Sequence, residues 1–373
     1  MDFFYYLQKI LNFSPLYLSI MCLLLFTSID YVLYVNWIDS MKNYNWYAGS
    51  FIFPLIGCLF FWIPTWYLMY IKNINLSNEK NIPMKNLFYI GSLDSLNAIA
   101  GTLATPFLTI TTMTITDKLV LPLTMIASYY ILGRRYTKWH YLGVFLTIYG
   151  IMEAFVPDFT GNKNNNYLWL FIYIIGIIPG VASYCCKEIF LKNKQHEYNI
   201  WWLNSWISIW QLLFGFITFP VLFIPLPPPI GNRITVNNVP EYFINATKCQ
   251  FGGINSINED NCQYSLLLFI LYQVINTLIN ILMFKIIRQG SSVIFIIVNA
   301  LKTPITSWLG SMPSLAGAHA RPISVADFFS FIIIFVGTLV YNDQKEKSIN
   351  EPVIDINRPL INSDTDSEED TIL

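Results

Sequence analysis

Residues 94–124 read DSLNAIAGTLATPFLTITTMTITDKLVLPLT, and the interpretation of the whole chain starts from this stretch. It is apolar enough to lie in a bilayer, yet it contains Asp94, Asn97, Asp117 and Lys118. Charged groups are costly inside a membrane, so they usually face a partner, a cavity or a substrate pathway. The stretch therefore predicts membrane helices whose polar side chains line an internal site.

A looser copy of this stretch follows much later, in residues 273–306, which read QVINTLINILMFKIIRQGSSVIFIIVNALKTPIT. The two copies differ by a short insertion, and four positions correspond between them: Asp94 with Gln273, Asn97 with Asn276, Lys118 with Lys302, and Pro122 with Pro304. Repeated halves with polar breaks in matching segments are typical of secondary transporters. The pattern suggests that the chain is built from two related halves.

The composition indicates a membrane protein. Hydrophobic residues make up 54% of the 373 residues and charged residues only 12%, whereas a soluble domain carries about 25% charged residues. The net charge of −1 and the lack of a basic cluster give no indication of nucleic-acid binding. The sequence contains no Ser/His/Asp set, metal-ligand spacing or nucleotide-binding loop, so we predict neither an enzyme nor a metal or cofactor site.

Apolar runs of about 20 residues mark helices that span a bilayer. We predict ten of them, at residues 16–37, 47–71, 87–108, 112–132, 139–156, 168–190, 201–224, 266–287, 292–312 and 325–341. The first run is too long for a cleaved signal peptide and contains Asp30. The prediction is thus an all-α polytopic membrane protein whose ten-helix transporter domain spans residues 16–341.

The distribution of Lys and Arg predicts the orientation, because these residues are retained on the cytoplasmic side of a membrane. Most of the 22 lie in segments that place both termini in the cytosol. Lys187 is counted among these cytoplasmic charges, together with Lys192 and Lys194 after the sixth helix. Residues 1–15 form the predicted cytosolic N-terminus.

The longest loop, residues 225–265, lies on the opposite side of the membrane in this topology. It contains the sequon Asn245-Ala246-Thr247, which predicts N-glycosylation at Asn245. Cys249 and Cys262 share the loop, and disulfides form on that side of the membrane. At this point they remain either a disulfide or two free thiols.

The polar, acidic residues 342–373 predict a disordered cytosolic tail. Asp355, Leu360 and Ile361 belong to a pattern similar to acidic dileucine signals, which bind sorting adaptors and direct proteins to endosomes and lysosomes. The alternative is a solvated tail without a signal.

We predict a polar cavity lined by equivalent helices of the two halves. The side chains assigned to it are Lys118, Lys302, Asn97, Asn276, Thr277, Asn204, Ser208 and Gln211. The candidates for carrying protons are Asp94, Asp30, Asp117 and Asp327. If the halves are related by a pseudo-twofold axis, both lysines face one central space and attract a carboxylate. The alternative is that the charges form ion pairs that only lock helices together.

Prolines and glycines complete the predicted transporter core. Pro122 and Pro304 each remove a helix hydrogen bond and predict kinks that serve alternating access. Gly143, Gly150 and Gly337 predict close helix packing.

Many short matches, in order from residue 16 to residue 341, resemble the chloroquine resistance transporter-like family of the drug/metabolite transporter superfamily. The matching segments are Leu93-Asp94, Lys118–Pro122, Tyr130–Tyr136, Tyr141–Gly143, Ile178-Pro179, Ser183, Lys187–Phe190, Leu203-Asn204, Gln211-Leu212, Arg321-Pro322 and Asp327-Phe328. The resemblance implies two inverted five-helix repeats in a vacuolar or plastid membrane. It also implies that small solutes are exported toward the cytosol, and that a lumenal loop carries at most one disulfide here, Cys249–Cys262.

Lys118 and Lys302 stand where members of that family often have neutral amides, which favours anionic or zwitterionic substrates over cationic drugs. The predicted function is a proton-coupled vacuolar or endolysosomal carrier. Its substrates would be amino acids, small peptides or thiol peptides, and its activity would affect vacuolar osmotic balance. The alternatives are a nucleotide-sugar or phosphate-sugar exchanger and a membrane scaffold that transports nothing.

Overall fold

The structure is a computed structural model that describes residues 15–71, 83–160, 167–191, 198–224, 234–256, 261–289, 295, 298–299 and 302–342. Every regular element in these ranges is a helix. The predicted sorting signal at Asp355, Leu360 and Ile361 lies outside the described residues, as does nearly all of the predicted cytosolic N-terminus.

The described residues contain a helix within each of the ten predicted runs. The first half of the chain forms α1 (Pro15–Ser40), α2 (Phe53–Tyr70), α3 (Met84–Ala104), α4 (Ile110–Thr116), α5 (Val120–Leu132) and α6 (Lys138–Thr160). The second half forms α7 (Tyr167–Leu191), α8 (Ile200–Ile217), α9 (Val239–Gly252), α10 (Ser265–Gln289), α11 (Thr303–Gly310), α12 (Pro313–Ala316) and α13 (Val325–Asn342). The short helix α9 lies in the long loop and was not predicted.

Six of the described helical segments are both long and apolar enough to cross a membrane. They are Leu18–Ser40, Tyr47–Tyr70, Ile110–Leu132, Tyr167–Leu191, Ile200–Phe223 and Ser265–Arg288, and the shorter helix at Val325–Tyr341 is also apolar. The chain is therefore a multi-pass membrane protein. The full count of ten spans remains a prediction.

The backbone departs from the regular α-helix beside Lys118. The fourth predicted helix is divided by a 3₁₀ turn, Asp117–Leu119, between α4 and α5, and Lys302 precedes the first residue of α11. Irregular backbone at membrane depth is tolerated where it lines a cavity. Pro122 and Pro304 lie in the first turns of α5 and α11, where proline fits without loss of a hydrogen bond. The predicted kinks at these prolines stay a prediction.

Helices α6 and α13 pack along most of their length. An added Cβ atom on Gly143 would lie 2.6 Å from the carbonyl oxygen of Gly337, and one on Gly150 would lie 2.8 Å from the Ile334 side chain. The two helices thus approach backbone to backbone, as the predicted close packing at these glycines requires.

One end of the bundle, which we call the disulfide face, carries the Cys249–Cys262 bond. Cys249 lies on α9, and its sulfur contacts the carbonyl oxygen of Ser40 at the end of α1. Trp37 is fully buried here, stacks on Tyr272 and donates to Gln250. The disulfide and this aromatic cluster fix α9 to the ends of α1 and α10.

The opposite face carries basic side chains. Arg134, just after α5, pairs with the buried Glu188 of α7. Arg288, near the end of α10, donates to the carbonyl oxygen of Tyr198. Basic groups at this end agree with the predicted orientation, in which it faces the cytosol.

Candidate functional site

A cavity of about 370 Å³ lies in the middle of the helix bundle. Its described lining contains charged side chains of both signs: Asp30, Asp94, Asp117, Lys118, Lys187 and Lys302. Pockets for small ligands have volumes of roughly 300 to 1,000 Å³, so the cavity accommodates a small solute. The charges come from α1, α3, α7, the 3₁₀ turn Asp117–Leu119 and the residue before α11, and they surround the space from several sides.

Asp94 of α3 forms an ion pair with Lys187 of α7. The lysine Nζ lies 2.8 Å from Oδ2 and 3.0 Å from Oδ1 of the carboxylate. Gln211 of α8 donates its side-chain amide to Oδ2 at 3.3 Å. Lys187 Nζ also lies 5.5 Å from the centre of the Tyr184 ring. Three helices therefore meet at one carboxylate on the cavity wall.

The assignment of Lys187 to the cytoplasmic charges was wrong. Its side chain is only 5% exposed and points into the cavity. The misassignment arose because Lys187 stands near the end of an apolar run, five residues before the basic pair Lys192 and Lys194. Its position one turn from Tyr184, on the same face of α7, was the available signal.

Asp117 is held by a chain of tyrosine hydroxyls. Tyr173 donates to Oδ1 of Asp117 at 2.8 Å, and the hydroxyl of Tyr31 lies 3.0 Å from that of Tyr173. The sequence prediction included Asp117 but neither tyrosine, because aromatic residues are common in apolar helices and give no distinct pattern.

Lys118 and Lys302 both line the cavity. Lys118 is almost fully buried, and its Nζ donates to the carbonyl oxygen of Asn299 at 2.9 Å. Lys302 Nζ lies 5.0 Å from the centre of the Tyr31 ring, which is a cation–π distance. Neither of these contacts is to a carboxylate, but the charge of Asp117 acts on both lysines and that of Asp30 acts on Lys302.

Asp30 of α1 has a carboxylate oxygen, Oδ1, that is buried and has no hydrogen-bond partner among the described groups. It lines the same cavity as Asn276, whose side-chain oxygen accepts a hydrogen bond of 2.9 Å from Asn280. A buried carboxylate with an unsatisfied oxygen favours a ligand or a proton at that position.

The structure brings most of the predicted polar residues to this cavity, but not all. Asn97 and Gln211 line it. Asn204 and Ser208 line a small adjoining cavity of about 40 Å³, which also reaches Asp94 and Lys187. Thr277 is not among the described lining residues of either cavity, and its hydroxyl donates to the carbonyl oxygen of Gln273 in its own helix.

Asp327 lies away from the cavity and caps α13. Its Oδ2 accepts from the backbone N–H and the hydroxyl of Ser324, at 2.8 and 2.7 Å, and Oδ1 lies 3.7 Å from Arg321. The carboxylate is fully buried in these contacts, which form a capping box. The assignment of Asp327 to proton coupling is therefore withdrawn. The Ser-Val-Ala-Asp spacing at residues 324–327 was the overlooked signal.

A charged cavity lined by membrane-spanning helices, with a 3₁₀ turn at one of its lysines, is the arrangement of a small-solute transporter. The model of the CRT-like family (chloroquine-resistance transporter-like) matches residues 16–341, which is most of the chain. The chain belongs to this family, and it is a membrane transporter of that class.

Curated relatives support the same assignment. Crt homolog 1 of Dictyostelium discoideum is 24% identical over 336 residues, covering 83% of this chain and 70% of the relative. The chloroquine resistance transporter of Plasmodium vivax is 25% identical over 289 residues, covering 74% and 67%. The chloroquine resistance transporter of Toxoplasma gondii is 23% identical over 276 residues, covering 70% of this chain but only 31% of the relative. Each of these names belongs to the relative, and two of the three relatives are named as transporters.

A double-mutant cycle tests the Asp94–Lys187 pair. Removing one member of a buried ion pair leaves an uncompensated charge, which costs on the order of 3 kcal/mol. We expect Asp94→Asn and Lys187→Met each to lower the free energy of unfolding, measured by SDS titration in mixed micelles. The double variant should lose clearly less than the sum of the two losses. The exposed Glu241→Gln is the matched control and should change little. Strictly additive losses would show that the two side chains do not interact.

Proposed function

We propose that this chain is a proton-coupled carrier of an acidic vacuole or endolysosome. It exports amino acids, small peptides or thiol peptides to the cytosol and thereby affects the osmotic balance of that compartment. The observation that carries the proposal is the cavity lining, in which three lysines and three aspartates surround one space.

A cavity with both signs of charge suits a substrate that also carries both. Charge interactions are stronger in a water-poor site than in bulk water, so a zwitterion gains from meeting an opposite charge at each end. Lys118 and Lys302 provide two cationic groups that no described carboxylate bonds directly. Asp30 provides an anionic oxygen without a hydrogen-bond partner. A substrate with a single positive charge would offer no opposite charge to the two lysines.

The same lysines keep a phosphate-containing substrate as the second candidate, in a nucleotide-sugar or phosphate-sugar exchanger. Phosphate is often bound by arginine, whose planar group makes paired hydrogen bonds. The cations in the described cavity lining are lysines, and three carboxylates stand beside them. This composition favours the zwitterion over the doubly charged phosphate. The scaffold alternative requires all of these charges to be fixed ion pairs.

The helix pairing supports the inverted-repeat architecture. If a pseudo-twofold axis relates the two five-helix halves, the third predicted helix corresponds to the eighth and the sixth to the first. A contact between the third and sixth helices should then recur between the eighth and first. Correspondingly, α3 packs on α7 and α10 packs on α1. Such an axis also pairs equivalent helices with each other, as seen for α2 with α8, α4 with α11, and α6 with α13.

Proton coupling is assigned first to Asp30. Asp94 is engaged by Lys187 and Asp117 by Tyr173, so protonation of either one weakens an existing contact. Asp30 Oδ1 has no hydrogen-bond partner among the described groups, while the Asn276 side chain and the charge of Lys302 act on the same carboxyl group. A carboxylate that a proton can reach from the cavity is suited to carry that proton during transport.

Cellular location and modification complete the proposal. The acidic dileucine pattern at Asp355, Leu360 and Ile361 is the proposed adaptor signal for delivery to the vacuolar membrane. Asn245 is the proposed glycosylation site. It lies half-buried on α9, and Thr247 of the same sequon is exposed. Both termini are proposed to face the cytosol.

The function is tested by uptake into liposomes that contain the purified protein. A pH gradient is imposed, and the panel contains amino acids, dipeptides, glutathione, nucleotide sugars and a cationic amine. We expect gradient-driven uptake of amino acids or peptides. In Lys118→Gln and Lys302→Gln, uptake of anionic and zwitterionic substrates should fall relative to the cation. A lost charged contact costs about 1.5 to 3 kcal/mol, so the KM should rise roughly tenfold or more.

The exposed Lys138→Gln is the matched control and should behave as the unchanged protein. Exchange of nucleotide sugars without proton dependence would establish the second candidate. An equal loss for every substrate in both lysine variants would show structural damage rather than a role in specificity. Absence of flux from folded protein would favour the scaffold.

The role of Asp30 is tested by the pH dependence of uptake. Asp30→Asn should abolish the response to an imposed pH gradient, because an amide carries no exchangeable charge. Exchange between labelled and unlabelled substrate should continue, since it needs no net proton movement. Asp94→Asn serves as the comparison and should lower the overall rate through the unpaired Lys187. A full response to the gradient in Asp30→Asn would remove Asp30 from the proton pathway.

The orientation is tested by enzymatic deglycosylation of the protein from eukaryotic cells. We expect a mobility shift that disappears in Asn245→Gln, because only sequons on the lumenal side are modified. The sequon at Asn75 lies in a predicted cytosolic loop, so Asn75→Gln should leave the shift unchanged. A shift that persists in Asn245→Gln would contradict the site or the topology.

A further inference from the structure

His319 lies on the disulfide face, between α11 and α13, outside the membrane-spanning segments. Its side chain is only 6% exposed. Nδ1 lies 2.9 Å from the carbonyl oxygen of Leu108, which follows α3. Nε2 lies 3.1 Å from Oδ1 of Asp39, near the end of α1. The imidazole thus joins three separate parts of the chain, and the function described above does not use it.

The chemistry of these contacts defines the protonation state that fits the structure. A backbone carbonyl oxygen only accepts hydrogen bonds, so Nδ1 must carry a proton. A neutral imidazole would then present the lone pair of Nε2 to the Asp39 carboxylate, which is a repulsive contact. Nε2 makes no regular hydrogen bond, but its approach to 3.1 Å from a carboxylate oxygen favours a positive ring. The imidazolium form is the one that places a proton opposite each neighbour.

We propose that His319 is a proton-controlled clamp: the protonated ring holds the α11–α13 connection against both α1 and the α3–α4 turn, and loss of the Nε2 proton removes its attraction to Asp39 and loosens the contact with α1. The clamp is independent of the identity of the transported substrate.

The clamp joins the elements that carry the cavity charges. Asp39 ends the helix that contains Asp30, and Leu108 precedes the helix and turn that lead to Lys118. His319 follows α11, which begins after Lys302. A change at the disulfide face is therefore connected through short helical segments to the walls of the cavity. Near His319, Asn36 donates to the carbonyl oxygen of Leu315 at 2.7 Å, a second contact between α1 and this connection that does not depend on pH.

The charged groups around the ring agree with this assignment. Burial lowers the pKa of the His319 imidazole, but the hydrogen bond and charge of Asp39 and the carbonyl of Leu108 outweigh it, while Lys42 opposes them. The net result is a pKa above the ordinary value of 6.5. Arg321, which is close in sequence, interacts with Asp327. Because the folded-state pKa is raised, the clamp contributes its full stability below the ordinary pKa and loses it as the pH rises through the folded pKa.

The test uses the full-length protein in nanodiscs and measures two quantities. The pKa of His319 is obtained from the pH dependence of deuterium exchange at the imidazole C2 position, by mass spectrometry. The Tm is measured between about pH 5.5 and about pH 8. We expect His319 to titrate above 6.5. We expect the Tm to fall across its titration by roughly 2 °C or more, the shift that corresponds to about 1 kcal/mol in a large domain.

Asp39→Asn provides the decisive variant. An amide can present an N–H to Nε2, so the neutral ring then satisfies both neighbours. The pKa of His319 should fall, and the Tm should lose its dependence on pH in that window. His319→Gln should also remove the dependence.

His140→Gln is the matched control, since His140 accepts from the backbone N–H of Thr137 and lies at the other face. It should leave the dependence intact. A His319 pKa at or below 6.5, or an unchanged Tm profile in Asp39→Asn, would overturn the proposal.

Discussion

The structure depends on the cost of placing charge in a medium of low dielectric constant. Each charged group in the bundle needs a counter-charge, a hydrogen-bond donor or water, since an isolated ion there is strongly unfavourable. The Asp94–Lys187 pair shows the consequence most directly, because one carboxylate gathers α3, α7 and, through Gln211, α8. The helices surround a cavity because that is where the remaining charges of Lys118, Lys302 and Asp30 are tolerated.

Much of the fold follows from hydropathy alone. Apolar runs of bilayer length predicted the helices, and the described residues contain a helix within each predicted run. The 3₁₀ turn at Lys118 was less visible. Pro122 follows it in the first turn of α5, where a fixed φ angle and a missing N–H are tolerated better than in a helix interior. Helix α9 was missed because its polar, loop-like sequence folds against the bundle through the disulfide.

The candidate site was predicted in outline, and the errors have physical causes. Charged residues inside apolar runs, such as Asp94 and Lys118, were recognisable because they are rare there. Lys187 was assigned to the cytosol because sequence position near a helix end does not reveal which way a side chain points. Asp327 was taken for a cavity group because burial alone does not distinguish a helix cap from a ligand site, and its partner Ser324 decides the matter. The contacts of His319 join residues far apart in sequence, and no local pattern predicts them.

The contact between α6 and α13 has a mechanical consequence. Helices separated by side chains can slide, because side chains change rotamer as the surfaces move. At Gly143 and Gly337 no such layer exists, and the backbone of each helix lies directly against the other. A relative translation would drive main-chain atoms into each other. These two helices are therefore expected to move together as one rigid unit in any rearrangement of the bundle.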